Sequence, residues 1–258
     1  MHHQSFRHAL LARELVLGTW LQLGHAGIAE ILANVGYRWI GVDMEHTDID
    51  VRAFTELARG MYGRGAIPLA RVRENDTLAI RQVLDAGAQG VIVPLVNTAE
   101  EARHAVAAAK YPPRGVRGFC FGRMNNFGRD FDTYKGEGDD EVVVIVMIES
   151  RTAVEQIDAI LAVDGVDGVF IGPYDMSGSY GVPGQTEHPL LLVAFRRVLD
   201  ACASAGKAAG LHVVRPTPER VAKVIADGFT FVCLGADCVF LQDSAKAAID
   251  IAMQKVPR

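Results

Sequence analysis

The 258-residue sequence contains no run of about 18 consecutive apolar residues, so nothing in it reads as a membrane-spanning helix. Cysteine is scarce. Cys120, Cys202, Cys233 and Cys238 show neither CxxC spacing nor a paired framework, which points to free thiols in a reducing cytoplasm. The opening MHHQSFRHALLARE lacks both a long apolar core and a small-residue cleavage site and is not read as a secretory signal. His2 and His3 within it read as a frayed terminus. A net charge of −5 gives no reason to expect nucleic acid or an anionic membrane as partner. No GxGxxG follows the first strand candidate: Gly24 is followed by His25 and Gly27. The GxSxG elbow, the P-loop and the Cys or His spacing of a structural zinc site are also missing.

What remains is an ordinary globular balance, 50% hydrophobic and 22% charged, in a chain long enough for a substantial core. Apolar runs over 17–23, 39–45, 66–72, 90–96, 142–149, 168–173, 208–214 and 231–236 read as buried strands. Helical patterns over 26–35, 51–62, 76–86, 99–109, 153–163, 189–205, 218–226 and 237–254 alternate with them. Eight strand-then-helix units in this length predict a single (β/α)8 barrel over 1–258. Thr98, with Glu101 three residues on, reads as a helix N-cap, and Ser150 as another. Gly36, Gly87, Gly165, Gly206 and Gly228 suit left-handed positions after helices. Residues 111–141 are rich in Pro, Gly, Arg and acids and form an irregular insertion, with EGDDE at its end read as a solvated turn.

In such a barrel the chemistry gathers at the C-terminal strand ends. Those ends deliver Asp43, Glu45 and His46, then Arg71, Glu149, Asp175, His212 and Asp237. VVVIVMIES ends in Glu149 and VFIGPYDMS leads to Asp175; a carboxylate at the end of a buried run needs a compensating partner. Two such acids suit a hard divalent cation with open positions for oxygens of a 2-oxo acid. Arg71 would add a charge-assisted bond to a keto oxygen, and His46, oriented by Asp43, could move a proton near neutral pH. The turn at Gly172 and Pro173 could offer backbone N–H groups to a carboxylate. None of the six lysines (Lys110, Lys135, Lys207, Lys223, Lys246, Lys255) ends a predicted strand, which disfavours Schiff-base chemistry, with Lys135 in the irregular insertion the one that placement leaves open.

The motifs VDMEH (42–46), PLARV (68–72), DAGAQGVIVPLVNTAEEA (85–102), YPPRGVRG (111–118), MIES (147–150) and VDGVFIGPYDMSGSYG (166–181) resemble the HpcH/HpaI family of metal-dependent, class II pyruvate aldolases. The resemblance covers nearly the whole chain. It implies a (β/α)8 barrel whose last helix packs on a neighbouring subunit, commonly in a hexamer. It implies Mg2+ or Mn2+, with Co2+ or Zn2+ as further candidates, on Glu149 and Asp175, holding pyruvate or its enolate. Arg71 would contact the keto oxygen, Asp43 and His46 would serve acid–base steps, and the amides of Tyr174 and Asp175 would take the carboxylate. An aspartate like Asp85 would approach from an adjacent subunit. The implied reaction removes the C4 hydroxyl proton of a 4-hydroxy-2-oxo acid and breaks C3–C4, giving pyruvate enolate and an aldehyde. Departures from the family pattern are Met147 in place of an orienting Gln, His212 in place of a small aliphatic, Tyr174 in place of Ala, and a bulky FCFGRMNNFG stretch after Gly118. They suggest a reshaped acceptor side in which His212 or Arg123 meets a polar or anionic group. Two other readings stand beside this one. An oxaloacetate-using condensing enzyme or decarboxylase would release CO2 or consume a CoA ester without any aldehyde. A barrel kept only as a ligand-binding protein would show no turnover of any oxo acid.

Overall fold

The computed structural model describes residues 5–254, so His2, His3 and Lys255 lie outside the described residues. Eight parallel strands close on themselves in chain order. They are β1 (Val16–Leu21), β2 (Trp39–Asp43), β3 (Ile67–Arg71), β4 (Gly90–Val93), β5 (Val143–Ile148), β6 (Gly168–Ile171), β7 (Ala208–Val213) and β8 (Phe231–Ala236). β1 pairs with β8 as well as with β2, which completes the barrel. Every residue of β2, β4, β5 and β6 is buried, as expected of strands covered on one face by helices and on the other by the barrel interior. No described helix is long and apolar enough to cross a membrane.

The predicted helices are present with small shifts, including Ala26–Val35, Val51–Met61, Thr77–Asp85, Ala99–Ala109, Pro189–Ala205, Pro218–Asp227 and Asp237–Met253. Thr98 and Glu101 form a reciprocal capping box, and Ser150 caps its helix by accepting from the Ala153 N–H. The five predicted left-handed glycines all have positive φ. The region 153–163 differs: it is two short helices, Arg151–Glu155 and Ile157–Leu161, broken at Gln156.

Two elements were not legible as periodic patterns. The six-residue helix Phe6–Leu11 closes the N-terminal end of the barrel, where Phe6 packs edge-on against Phe231 at 6.5 Å. Its apolar face, Phe6, Ala9 and Leu10, belongs to the same buried cluster as the barrel interior. The helix Pro173–Ser179 begins where the sequence suggested the end of a strand, with Pro at its first turn. In the insertion, EGDDE is not a solvated turn. Asp139 is buried, accepts from the Tyr111 N–H and pairs with Arg114, while the Lys110 ammonium donates to the carbonyls of Asp139 and Val142. Burying that acid is tolerable because it is paired.

The barrel interior is aromatic. Trp39 stacks on Phe231 at 4.2 Å, and Trp20 meets Trp39 and Phe170 edge-on at 6.2 and 5.6 Å. Trp20, Phe170 and Met147 form the upper surface of this stack and become the floor of a cavity at the C-terminal strand ends.

Candidate active site

The register between β2 and β3 sets Asp43 beside Arg71, each the last residue of its strand. The pairing is bidentate: Arg71 Nε donates to Asp43 Oδ1 at 3.0 Å and Nη2 to Oδ2 at 2.6 Å. Asp43 is fully buried and also accepts from the backbone N–H groups of Glu45 and His46 (3.2 Å each) and from Gln22 Nε2 at 2.9 Å. Burial pushes its carboxyl up, but the Arg71 hydrogen bonds and charge, with help from Gln22, outweigh that and hold it below the ordinary value. Asp43 therefore fixes Arg71 and the main chain of the following loop, and it meets His46 at the backbone, not at the ring. The carboxylate next to the imidazole is Glu45, whose Oε2 lies 3.4 Å from His46 Nε2 and 3.4 Å from Arg71 Nη1. That oxygen is buried without a hydrogen-bond partner among the described residues, and burial raises the Glu45 carboxyl. Arg71 also lies over the Trp20 ring, 4.7 Å from its centroid.

Glu149 follows β5 directly and is almost wholly buried. Its Oε2 accepts from the Leu95 N–H at 2.9 Å. Leu95 has φ +55°, a left-handed conformation unusual for leucine, and its carbonyl is held by Asn97 Nδ2 at 2.9 Å. The strained loop after β4 thus presents an N–H to one Glu149 oxygen. Beside the other oxygen is Gly172, where an added β-carbon would lie 2.6 Å from Oε1. Burial pushes the Glu149 carboxyl up to about 7; the charges of Glu45 and Asp175 add to the rise, and the Leu95 N–H and Arg71 oppose it. Asp175 stands in the first turn of Pro173–Ser179, exposed next to Tyr174, rather than on a strand end.

These groups surround a cavity of about 260 Å3 lined by Arg71, His46, Glu149, Gly172, Tyr174, Asp175, Met147 and His212, with Gln22, Trp20 and Phe170. A larger space of about 530 Å3 opens at the other end of the barrel, lined in part by Arg7, Lys110 and Arg114. Those cations are committed to Asp167, to backbone carbonyls and to Asp139 and Asp140, so the smaller cavity is the one with chemistry to perform. Asp237, at the start of the last helix, takes the Gln22 and Leu23 N–H groups at 2.9 Å each and ties β1 to β8 beneath the rim.

Arg123 does not reach the cavity of its own chain, and Asp85, expected from an adjacent subunit, does not reach it either. Arg123 lies over Tyr62 and against Gly87, ahead of β4, and Asp85 ends Thr77–Asp85 and pairs with the buried Arg117 at 2.8 Å. Barrel helices run antiparallel to the strands, so both residues lie at the N-terminal end, away from the cavity of their own chain. Gln22 is missing from the expected set, and Glu45, expected at the strand ends, had been given no role there. Glu45 was visible inside VDMEH. Gln22 carried no signal, because its partner Asp43 is on the next strand and its other contact, the Cys238 thiol at 3.0 Å, is on the last helix.

Residues 16–243 match the family model described as HpcH/HpaI aldolase/citrate lyase. The chain belongs to that family. It is 40% identical over 248 residues, 95% of each chain, to the 4-hydroxy-2-oxovalerate aldolase of Rhodococcus jostii. To the hydroxypyruvate/pyruvate aldolase of Roseobacter denitrificans it is 37% identical over 246 residues, 94% of each chain. Among solved structures, the citrate synthase SbnG superposes with a TM-score of 0.85 at 28% identity, covering 97% of this chain and 98% of that one.

Proposed function

We propose that this HpcH/HpaI family member is a metal-dependent aldolase that reversibly cleaves 4-hydroxy-2-oxo acids into pyruvate and an aldehyde. The observation that carries the reading is the convergence of Glu149 and Asp175 on one cavity beside Arg71, with the Glu45 charge close behind them and Glu149 pushed up to about 7. Such a cluster of carboxylates is electrostatically unfavourable alone and is relieved by a cation. No three His, Cys, Asp or Glu side chains among the described residues already stand as a ligand set. The donors nonetheless fit a hard divalent ion: two carboxylates, with substrate and water oxygens filling the other positions, are what Mg2+ or Mn2+ takes. Glu149 Oε1 and Asp175 would hold it. A bound cation would supply Lewis-acid stabilisation of negative charge developing on the keto oxygen of the substrate.

The chain's own residues perform the remaining tasks. Arg71, locked by Asp43, donates to the keto oxygen and stabilises its charge as C3–C4 breaks. His46, with Glu45 beside its ring, takes the C4 hydroxyl proton. It returns a proton to C3 of the pyruvate enolate after the aldehyde departs. The Tyr174 and Asp175 N–H groups, at the start of Pro173–Ser179, receive the substrate carboxylate. The apolar floor of Trp20, Phe170 and Met147 keeps water from the carbanionic carbon.

Identity of 37–40% to named aldolases, against 28% to a citrate synthase, favours the aldol reading over oxaloacetate condensation. Homo-oligomerisation, with a hexamer as the expectation, is supported by the last helix, which leaves Leu241, Ile249, Ile251 and Met253 each more than 60% exposed. Asp85 and Arg123 would then act at a neighbour's site. Unpaired cysteines at 120, 202, 233 and 238 support a cytoplasmic setting. The test is pyruvate release from 4-hydroxy-2-oxovalerate, followed with a coupled dehydrogenase. Turnover should need added Mg2+ or Mn2+ and vanish on chelation; turnover unaffected by chelation would refute the metal-dependent reading.

A further inference from the structure

His212 lies on β7 opposite Cys233 of β8, with its ring on the cavity wall next to Trp20. Its Nε2 is 3.0 Å from the carbonyl oxygen of Gly235. A carbonyl only accepts, so Nε2 carries a proton and donates it. Burial pushes the imidazole down to about 4, with the Arg71 charge adding to the effect, so at neutral pH the ring is uncharged. A neutral imidazole with its proton on Nε2 has a lone pair on Nδ1. No described residue donates to that nitrogen. The rest of the cavity offers no alternative for a distant anionic group. Arg71 is the one Lys or Arg on its wall, and its guanidinium is already shared between Asp43 and Glu45.

We infer that His212 selects acceptor aldehydes bearing a hydroxyl group, which donates to the Nδ1 lone pair, over aldehydes that end in a carboxylate or a bare alkyl chain. This deepens the aldolase reading and rests on it. A hydroxyl supplies the proton that Nδ1 lacks. A carboxylate would face that lone pair with nothing to donate, near Glu149 and Asp175, and without a free cation of this chain to receive it. An alkyl group would fit the aromatic floor but leave Nδ1 unpaired.

The experiment measures kcat/KM for addition of pyruvate to glycolaldehyde, acetaldehyde and glyoxylate, three two-carbon acceptors that differ in the group beside the aldehyde. The natural protein should rank glycolaldehyde first and glyoxylate last. Because the aldehydes differ in intrinsic reactivity, the deciding quantity is the change in the glycolaldehyde-to-acetaldehyde ratio on substitution. His212→Leu should lower that ratio by roughly tenfold, the size of one ordinary hydrogen bond, whereas His212→Asn, which keeps an accepting oxygen, should retain most of it. A glycolaldehyde-to-acetaldehyde ratio unchanged in His212→Leu, or a glycolaldehyde-to-glyoxylate ratio that does not fall in it, overturns the inference. Deuterium exchange into the pyruvate methyl group of the unsubstituted protein separates the two levels. Exchange without hydroxyl preference sinks only the His212 assignment, and no exchange sinks the aldolase reading with it.

Discussion

At the scale of single residues, Gly172 and Glu149 act together. A β-carbon at 172 would meet Glu149 Oε1 at 2.6 Å and Cγ at 2.7 Å, so Gly172→Ala must displace the carboxylate. A shift of about an ångström at a reacting centre costs on the order of 100-fold, and kcat/KM of Gly172→Ala should fall at least that far. Circular dichroism should show the barrel intact, since the added methyl meets a side chain at the rim and not the core. Glu149 also sets a pH dependence. Between its ordinary value of 4.5 and about 7, the folded, metal-free protein retains a proton that the unfolded chain has released. The contribution of Glu149 to stability is therefore full below pH 4.5, declines as the pH rises to about 7, and is level beyond. A cation needs the ionised form, so apparent Mn2+ affinity should rise up to about tenfold per pH unit over the same window and then flatten. Isothermal titration at pH 5.5, 6.5 and 7.5 would check it, with Glu149→Gln abolishing the trend. Affinity independent of pH would remove Glu149 from the ligand set.

At the scale of elements, the strand ends decide what meets what. The sequence placed Asp43, His46, Arg71, Glu149, Asp175 and His212 near the C-terminal ends, because each stands near or just past the end of an apolar strand-like run. It did not show that Asp43 would be committed to Arg71 and leave the His46 ring to Glu45. That outcome depends on the β2–β3 register and on the turn after Asp43, where two backbone N–H groups fold back onto its carboxylate. Nor could it show that Asp175 begins a helix, since Pro173 is as compatible with a strand end as with a first helical turn. Inside the barrel, β1 depends on Gly18. A β-carbon there would lie 2.1 Å from the Trp39 ring, which stacks on Phe231. Gly18→Ala should destabilise the fold by about 1–3 kcal/mol through overpacking, read as a lower midpoint in urea unfolding with unchanged slope.

For the whole molecule, the (β/α)8 architecture was legible because apolar strand runs alternate with helical patterns eight times along the chain. The helix Phe6–Leu11 was not, being too short for periodicity to register and defined by its packing against Phe231, far along the chain. Links between the chain's ends, such as Asp237 to Gln22 and Leu23 or Cys238 to Gln22, carry no local signal for the same reason. The exposed apolar residues of Asp237–Met253 bear on assembly. Light scattering coupled to size exclusion should report an oligomer, and Leu241→Asp with Ile249→Asp should shift it towards monomer. A monomeric natural protein would leave the apolar face of this helix unexplained and return Asp85 and Arg123 to purely structural roles.

Glu149, Asp175 and Arg71 are proposed to form a metal-assisted enolising site. Proton NMR of pyruvate in D2O tests it most directly, with the protein supplied first with Mn2+-free Mg2+, then with chelator, and then as Glu149→Ala. Loss of the methyl signal with metal, and its persistence in the other two samples, is the predicted result. Methyl exchange that continues at the same rate in Glu149→Ala or after chelation would rule out a metal-assisted enolising site on Glu149.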